Sequence, residues 1–206
     1  MALIDTMKYT ILLFSLLFSI PSIAQTAPSL DEVKGAQVGD TVKNFSLSDQ
    51  NGQTFTLTEA LKDGPVVLVF YRGQWCPYCN KHMSHLQDSL PLIGAKGARV
   101  IALSPENPAY LEKMEIKTGA KFSLLYDSSY QIAKRMDVLF DPGEQLVKKY
   151  DRISGKPLTE VHGTDNTLLP VPATFIIDQD GVIVWRHFDT NYKERSGIDA
   201  ILQHLP

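Results

Sequence analysis

The chain has 206 residues, with 23 acidic and 20 basic side chains and a formal net charge of −3 at pH 7. It contains no run or stripe of basic residues, which argues against binding of nucleic acid. The length that remains after an N-terminal leader suits one domain with a single core.

The first 24 residues have the pattern of a cleavable secretory signal. Lys8 supplies a positive charge, residues 11–20 are apolar, and small residues at 22–24 provide a cleavage site. The apolar stretch is shorter than the roughly 20 residues that a membrane-spanning helix needs. An uncleaved membrane anchor is the alternative. We therefore expect a mature chain that begins at residue 25 and is periplasmic or secreted.

Residues 25–40 form a polar lead-in, and a single domain is expected over residues 41–206. Near the start of this domain, Asn51-Gly52 lies between two short apolar segments. This pair favours the turn that matches the twist of two strands, so the segment predicts a β-hairpin.

The rest of the chain alternates between apolar runs and helical patterns. A continuous apolar run such as 66–71 predicts a strand buried on both faces of a sheet. The predicted strands are 66–71, 98–103, 122–126, 171–177 and 182–188, and the predicted helices are 81–90, 105–119, 130–136 and 196–205. Residues 141–170 contain Pro, Gly and polar residues and predict an irregular excursion over the surface. The whole pattern predicts an α/β fold, with helices on both sides of a mixed sheet.

The only two cysteines, Cys76 and Cys79, lie between a predicted strand and a predicted helix. A disulfide that closes so short a loop removes little entropy from the unfolded chain, so the pair is a poor structural staple. At a helix N-terminus, unpaired amide hydrogens and a partial positive charge stabilise a thiolate. The pKa of Cys76 should therefore lie below its usual value, which makes this sulfur nucleophilic at neutral pH. Pro77 suits the first position of such a helix.

A metal site is the competing interpretation, because the cysteines and two histidines form the pattern C-x-x-C-x-x-H-x-x-H over Cys76, Cys79, His82 and His85. On a helix, each three-residue step turns about 300°, so His85 drifts away from the sulfurs. Zinc sites commonly take their second ligand pair from a separate element. We expect both histidines at the surface, and no metal or other cofactor.

Four segments together resemble the thioredoxin superfamily, and more closely its peroxiredoxin-like branch of the alkyl hydroperoxide reductase and thiol-specific antioxidant type. They are VVLVFYRGQWCPYCN, VIALSPENPAYLEKM, FSLLYDSSYQIAKRM and VPATFIIDQDGVIVW. The resemblance covers roughly residues 40–205. It implies a thioredoxin-like fold, in which a mixed central sheet is flanked by helices and carries an N-terminal hairpin and a peroxiredoxin-like insertion.

The resemblance also implies roles for residues around the sulfurs. Pro172 matches the cis-proline that faces the cysteine pair in this superfamily, and the Val171 backbone would receive an extended partner peptide. Trp75, Pro77 and Tyr78 would contact the substrate, with simple packing at the rim as the alternative for the two aromatic residues. Arg72 would stabilise a thiolate, or is an exposed charge.

Three positions depart from the peroxiredoxin pattern P-x-x-x-T-x-x-C when Cys79 is aligned with its last residue. Arg72 replaces the proline, Cys76 replaces the threonine, and Pro172 replaces the arginine before A-T-F. Two of the three groups that polarise a bound peroxide are therefore replaced. No acidic residue lies within the strand before the motif to act as a buried base.

These features predict an antioxidant thiol oxidoreductase that cycles between a Cys76–Cys79 dithiol and a disulfide. In disulfide exchange Cys76 attacks and Cys79 resolves, whereas in peroxide reduction Cys79 is oxidised and Cys76 condenses with it. The substrate is a hydroperoxide or a protein disulfide, and the electron donor is thioredoxin-type or membrane-fed. The alternatives are a periplasmic disulfide reductase or oxidase without peroxidase activity, and a non-catalytic module that binds a metal or a partner. Pairing into a homodimer is common in peroxiredoxin-like proteins.

Overall fold

The computed structural model describes residues 27–206, so the predicted signal lies outside the described residues. None of the helices within this part of the chain has the length and apolar character needed to cross a membrane.

Within the described residues, nine strands and eight α-helices alternate over most of the chain. The strands are β1 (Ser46–Ser48), β2 (Thr54–Thr56), β3 (Val66–Phe70), β4 (Arg99–Ser104), β5 (Ser123–Tyr126), β6 (Leu139–Phe140), β7 (Leu169–Pro170), β8 (Ala173–Ile177) and β9 (Ile183–Phe188). The helices are α1 (Leu57–Asp63), α2 (Pro77–Asp88), α3 (Leu90–Ala95), α4 (Pro108–Thr118), α5 (Gln131–Arg135), α6 (Gly143–Ser154), α7 (Leu158–His162) and α8 (Ile198–His204).

The central sheet has the strand order β5-β4-β3-β8-β9, and β3 lies in its middle. β3 runs parallel to β4 and antiparallel to β8, so the sheet is mixed, as the sequence predicts. All five residues of β3 are buried, because Val67 and Val69 face one apolar cluster while Leu68 and Phe70 face the other. Helices therefore cover both faces, and the fold is thioredoxin-like.

The predicted N-terminal hairpin is present as β1 and β2, which pair antiparallel. Asp49 Oδ1 accepts hydrogen bonds from the backbone N–H groups of Asn51 and Gln53, at 2.9 and 2.8 Å. Gly52 has φ +74°, the left-handed conformation for which glycine is the favoured residue.

The prediction of an irregular excursion over residues 141–170 is wrong, because α6, α7 and β7 lie within it. α6 presents a narrow apolar face, with Leu146, Tyr150 and Ile153 at helical spacing, on an otherwise polar sequence. Both helices end at a glycine in the left-handed conformation, Gly155 and Gly163. The glycines of this segment thus terminate helices and do not mark a loop.

Candidate active site

Cys76 lies where the chain passes from the end of β3 into α2. It is the N-cap residue of α2, and Pro77 is the first helical residue, as the motif predicts. Neither cysteine is in a disulfide, and Cys76 and Cys79 are 0% and 1% exposed. The central strand and the helix N-terminus together hold the two sulfurs at one edge of the sheet.

The surroundings of Cys76 stabilise its thiolate. The pKa of Cys76 is lowered to about 5, first by the hydrogen bond from the Cys79 thiol and then by the charge and hydrogen bond of Arg72, against the opposing effect of burial. Arg72 Nη2 lies 3.0 Å from Cys76 Sγ. The Cys76 sulfur is therefore ionised at neutral pH.

Arg72 is buried, with 3% of its surface exposed, so the interpretation of an exposed charge is wrong. Its Nη1 donates to Tyr150 Oη at 3.0 Å, and its guanidinium carbon lies 3.9 Å from the ring centroid of Tyr192. The Trp75 ring is 5.2 Å away. Three aromatic rings thus hold the guanidinium in place beside the sulfur.

Cys79 is the opposite case. Burial, followed by its hydrogen bond and charge interaction with Cys76, raises the pKa of Cys79 well above its usual range, while Arg195 acts in the other direction. Arg195 Nη2 lies 3.6 Å from Cys79 Sγ. The reduced pair therefore consists of a Cys76 thiolate and a Cys79 thiol.

His82 is 7% exposed, so the expectation that it lies at the surface is wrong, while His85 is exposed. His82 Nε2 hydrogen-bonds Ser196 Oγ at 3.0 Å, and Ser196 Oγ pairs with Thr174 Oγ1 at 2.9 Å. His82 faces inward because it follows Cys79 by three residues and shares its side of α2. Burial first, and then the charge of Arg195, lowers the pKa of His82 to about 3.

The metal pattern does not converge into a site. Its two histidines point in different directions from α2, one into the protein and one towards solvent. Across residues 27–206, no group of three or more His, Cys, Asp or Glu side chains is arranged to hold a metal ion.

The predicted substrate contacts divide into two sets. Trp75 is only 6% exposed and packs against the Tyr150 ring with ring centroids 4.9 Å apart, so it lies inside the protein and not at the rim. Pro77 and Tyr78 are exposed beside the sulfurs, and the Tyr78 ring meets that of Tyr192 at 5.7 Å. These two residues form the accessible rim of the site.

The prediction of a cis-proline at 172 is wrong, because all peptide bonds of the described residues are trans. The segment before Pro172 is held by β7, which pairs with β6, and the Val171 N–H donates to the Val138 carbonyl at 2.7 Å. That N–H is therefore unavailable to a partner peptide. Val171 and Pro172 instead line, with Arg72 and Tyr192, an open cavity of about 170 Å³.

Sequence reasoning missed three residues of the site. Glu106 is fully buried just after β4, Arg195 lies at Cys79, and Tyr150 holds Arg72. Glu106 had a usable signal, since the carboxyl ends of parallel strands such as β3 and β4 meet at one edge of the sheet. The other two come from distant segments whose approach no local pattern indicates.

A thioredoxin-like fold with a reactive dithiol at the N-terminus of α2 defines a class of thiol oxidoreductases. The sequence profile described as the AhpC/TSA family matches residues 38–186, so the chain belongs to this family. It is thus a peroxiredoxin-like thiol oxidoreductase, and an enzyme.

Individual proteins agree with this assignment. The chain is 28% identical to chloroplastic peroxiredoxin Q of Populus jackii, over 89% of this chain and 77% of that protein. It is 26% identical to the thiol-disulfide oxidoreductase ResA of Bacillus cereus, over 82% and 79%. The crystal structure of peroxidoxin BcpB from Mycobacterium tuberculosis has a TM-score of 0.63 and 26% identity, and the match covers 82% of this chain and 96% of that chain.

Proposed function

We propose that the enzyme reduces hydroperoxides, with Cys76 as the attacking sulfur and Cys79 as the resolving sulfur. The observation that carries this proposal is the Cys76 thiolate, 3.0 Å from a buried guanidinium. The names of the relatives, peroxiredoxin Q among them, support a peroxide as substrate.

In the proposed cycle, the Cys76 thiolate attacks the outer peroxide oxygen, the O–O bond breaks, and the alkoxide leaves and takes up a proton. The resulting Cys76 sulfenic acid condenses with Cys79 to give a disulfide and water. A thioredoxin-type dithiol then reduces the disulfide. Peroxiredoxins have an arginine at the position of Pro172. In this protein Arg72, which follows β3, would supply the comparable cation.

Alignment with the peroxiredoxin pattern would instead make Cys79 the attacking sulfur. Its environment argues against this order, because burial and the Cys76 charge keep Cys79 protonated. A thiol is a far weaker nucleophile than a thiolate. We therefore assign the same order of attack to peroxide reduction and to disulfide exchange.

Disulfide exchange is the second candidate function, and the ResA relative and the C-x-x-C spacing favour it. The same Cys76 thiolate would attack a substrate disulfide, and Cys79 would release the reduced product. The exposed Pro77 and Tyr78 offer an apolar contact for a protein substrate.

Single-cysteine variants test the assignment. The wild type should lose both titratable thiols on treatment with one equivalent of hydroperoxide. Cys79→Ser should form one sulfenic acid that dimedone traps, and should accumulate mixed disulfides with a protein substrate. Cys76→Ser should do neither. A sulfenic acid that forms on Cys79 in Cys76→Ser would reverse the assigned roles, and two thiols that survive peroxide in the wild type would exclude peroxidase activity.

We further propose that the mature protein acts in the periplasm or outside the cell, on the basis of the signal pattern in residues 1–24. Electrons would then come from a membrane-fed thioredoxin-type donor, because that compartment is oxidising. Fractionation of the native host, with N-terminal sequencing of the recovered protein, should place the protein outside the cytoplasm with a start at residue 25. Homodimer formation stays a prediction, which sedimentation analysis of the purified protein checks.

A further inference from the structure

A buried polar pocket lies behind the cysteine loop and is not used by the cycle described above. Glu106 is 0% exposed, and its Oε2 accepts a hydrogen bond from the Gln74 N–H at 2.8 Å. Among residues 27–206, its Oε1 has no hydrogen-bond partner, nor do Trp75 Nε1 and Tyr71 Oη. Burial with one unpaired oxygen favours the neutral acid, unless a buried cation nearby lacks its counter-ion.

Gly73 brings this pocket against the loop that carries Cys76. A methyl group at Gly73 would overlap Trp75 Nε1 and lie 2.6 Å from Glu106 Oε1. The Arg72 guanidinium lies 5.2 Å from the centroid of the same Trp75 ring. The carboxyl and the cation that pairs with the Cys76 thiolate therefore both lie close to the Trp75 indole.

Burial raises the pKa of Glu106 well above its usual range, and the Cys76 charge adds to this effect, while the Gln74 N–H and two lysines oppose it. The charged and titratable groups that act on Glu106 or respond to it come from three elements. They are Tyr71 after β3, Cys76 at the start of α2, and Tyr110, Lys113 and Lys117 on α4. Tyr71 responds to Glu106 and also to Cys79. The charge of Cys76 thus acts on the Glu106 carboxyl.

We propose that Glu106 and Cys76 exchange the single negative charge of the buried site: Glu106 is a neutral acid while Cys76 is a thiolate, and a carboxylate once the disulfide has formed. This inference rests on the proposed function. Glu106 does not touch the reacting sulfurs, and we assign it as a proton-holding residue that acts through the charge balance of the site.

Arg72 provides the physical reason. In the reduced protein the Cys76 thiolate balances this buried cation. Disulfide formation removes that charge and would leave Arg72 buried without a counter-ion, which is unfavourable. Loss of the Glu106 proton restores the charge balance. Lys117 favours this carboxylate as well, because its Nζ is held near the pocket by a 3.2 Å hydrogen bond to the Gln74 carbonyl.

The step balances in atoms and charge. A carboxylic acid, a Cys76 thiolate, a Cys79 thiol and a hydroperoxide give a carboxylate, a disulfide, an alcohol and water. The Glu106 proton ends on the alkoxide, and the Cys79 proton ends in the water. Reduction by a dithiol donor returns one proton to Cys79 and one to Glu106. Reduction of the disulfide therefore takes up two protons with two electrons. At a pH above the pKa of Cys76, the two sulfurs alone would take up only one proton.

The test is the pH dependence of the reduction potential of the pair in the full-length mature protein, between pH 6.5 and 8.5. Each proton taken up changes the reduction equilibrium constant about tenfold per pH unit. We expect the reduction equilibrium constant to change about a hundredfold per pH unit in the wild type and about tenfold in Glu106→Gln. This variant keeps the acceptor for the Gln74 N–H. The exposed Glu112→Gln on α4 is the matched control and should behave as the wild type, and Glu106→Asp should restore part of the steeper dependence.

A second measurement on the wild type keeps the proposal testable if Glu106→Gln does not fold. The infrared difference spectrum of oxidised minus reduced protein should show loss of the C=O stretch of a protonated carboxyl. If the reduction potential depends equally on pH in the wild type and in Glu106→Gln, or if the infrared spectrum shows no carboxyl band, the charge exchange is overturned while the redox cycle stands. Absence of any reversible two-electron transition in the wild type would instead reject the proposed function.

Discussion

At the scale of single residues, the reactivity of the site depends on how Arg72 is held. A guanidinium in water would lose most of its effect on a sulfur 3.0 Å away, because solvent screens exposed charges. Here Tyr150 fixes one nitrogen by a hydrogen bond, and the Tyr192 ring covers the plane of the group. Lysine has no flat guanidinium face, and it has a single nitrogen where arginine uses two separate nitrogens for Tyr150 and Cys76, so it cannot replace arginine in this position.

Replacement of Arg72 by Met should therefore slow the reaction of Cys76. The change removes the charge and the hydrogen bond but leaves the thiol donor of Cys79 and the opposing burial, so the pKa of Cys76 rises above about 5. Because only the thiolate reacts, alkylation by iodoacetamide at pH 6 should be about tenfold slower or more. The exposed Arg152→Met is the control and should react as the wild type. An unchanged rate in Arg72→Met would show that the helix N-terminus and Cys79 alone activate the sulfur.

What the sequence could show at this scale follows from distance along the chain. Cys76, Cys79 and Arg72 lie within eight residues of each other, so strand, motif and helix together predict their chemistry. Arg195 reaches Cys79 from 116 residues away. Its approach depends on where the segment after β9 packs, and that is a property of the tertiary structure.

At the scale of elements, the segment between β9 and α8 is fastened to α2. Ser196 forms the link, with hydrogen bonds to His82 on α2 and to Thr174 on β8. The neighbouring Arg195 is thereby placed at Cys79. Continuous apolar strands such as β3 were predictable because burial on both faces leaves a plain pattern, whereas α6 escaped prediction because only a narrow face of it is apolar.

Replacement of Ser196 by Ala should weaken both the fold and the resolving step. It leaves the buried His82 Nε2 without its partner, which should lower the free energy of unfolding by about 1–3 kcal/mol. A looser segment should also place Arg195 less well, so the Cys76 sulfenic acid should persist longer and label more strongly with dimedone. Urea titration and timed labelling measure the two effects.

The exposed Ser129→Ala provides the comparison and should change neither quantity. If Ser196→Ala loses stability but keeps the wild-type rate of disulfide formation, the link supports the fold without positioning Arg195.

At the scale of the whole molecule, two neutral histidines are built into the folded state. Burial lowers the pKa of His82 to about 3 and that of His162 to about 4. His162 is fully buried in α7, with Nδ1 2.9 Å from Tyr130 Oη. The two lie in separate parts of the structure, so global unfolding releases both from burial at once.

The sign of the effect on stability follows from these shifts. In the unfolded chain a histidine binds a proton below a pKa of about 6.5. In the folded protein His82 does so only near pH 3. Its stabilising contribution is therefore complete above about pH 6.5 and is lost as the pH falls towards 3, by at most about 1.4 kcal/mol per pH unit. The raised pKa values of the buried Glu106 and Asp127 act in the opposite direction, so the wild-type profile alone does not isolate the histidine.

The comparison of His82→Gln with the wild type isolates it, since both proteins share every other titrating group. Gln keeps a hydrogen bond to Ser196 and has no proton to gain, so the wild type should lose about 2–3 kcal/mol more than the variant between pH 6.5 and 4.5. Denaturant titrations at four pH values measure the difference, and the exposed His85→Gln should follow the wild type. Parallel profiles for wild type and His82→Gln would mean that His82 is protonated within the folded protein, which its position between Ser196 and Arg195 opposes. The same burial that keeps His82 neutral also keeps Cys79 a thiol, so acid stability and the order of attack at the two sulfurs have one physical origin.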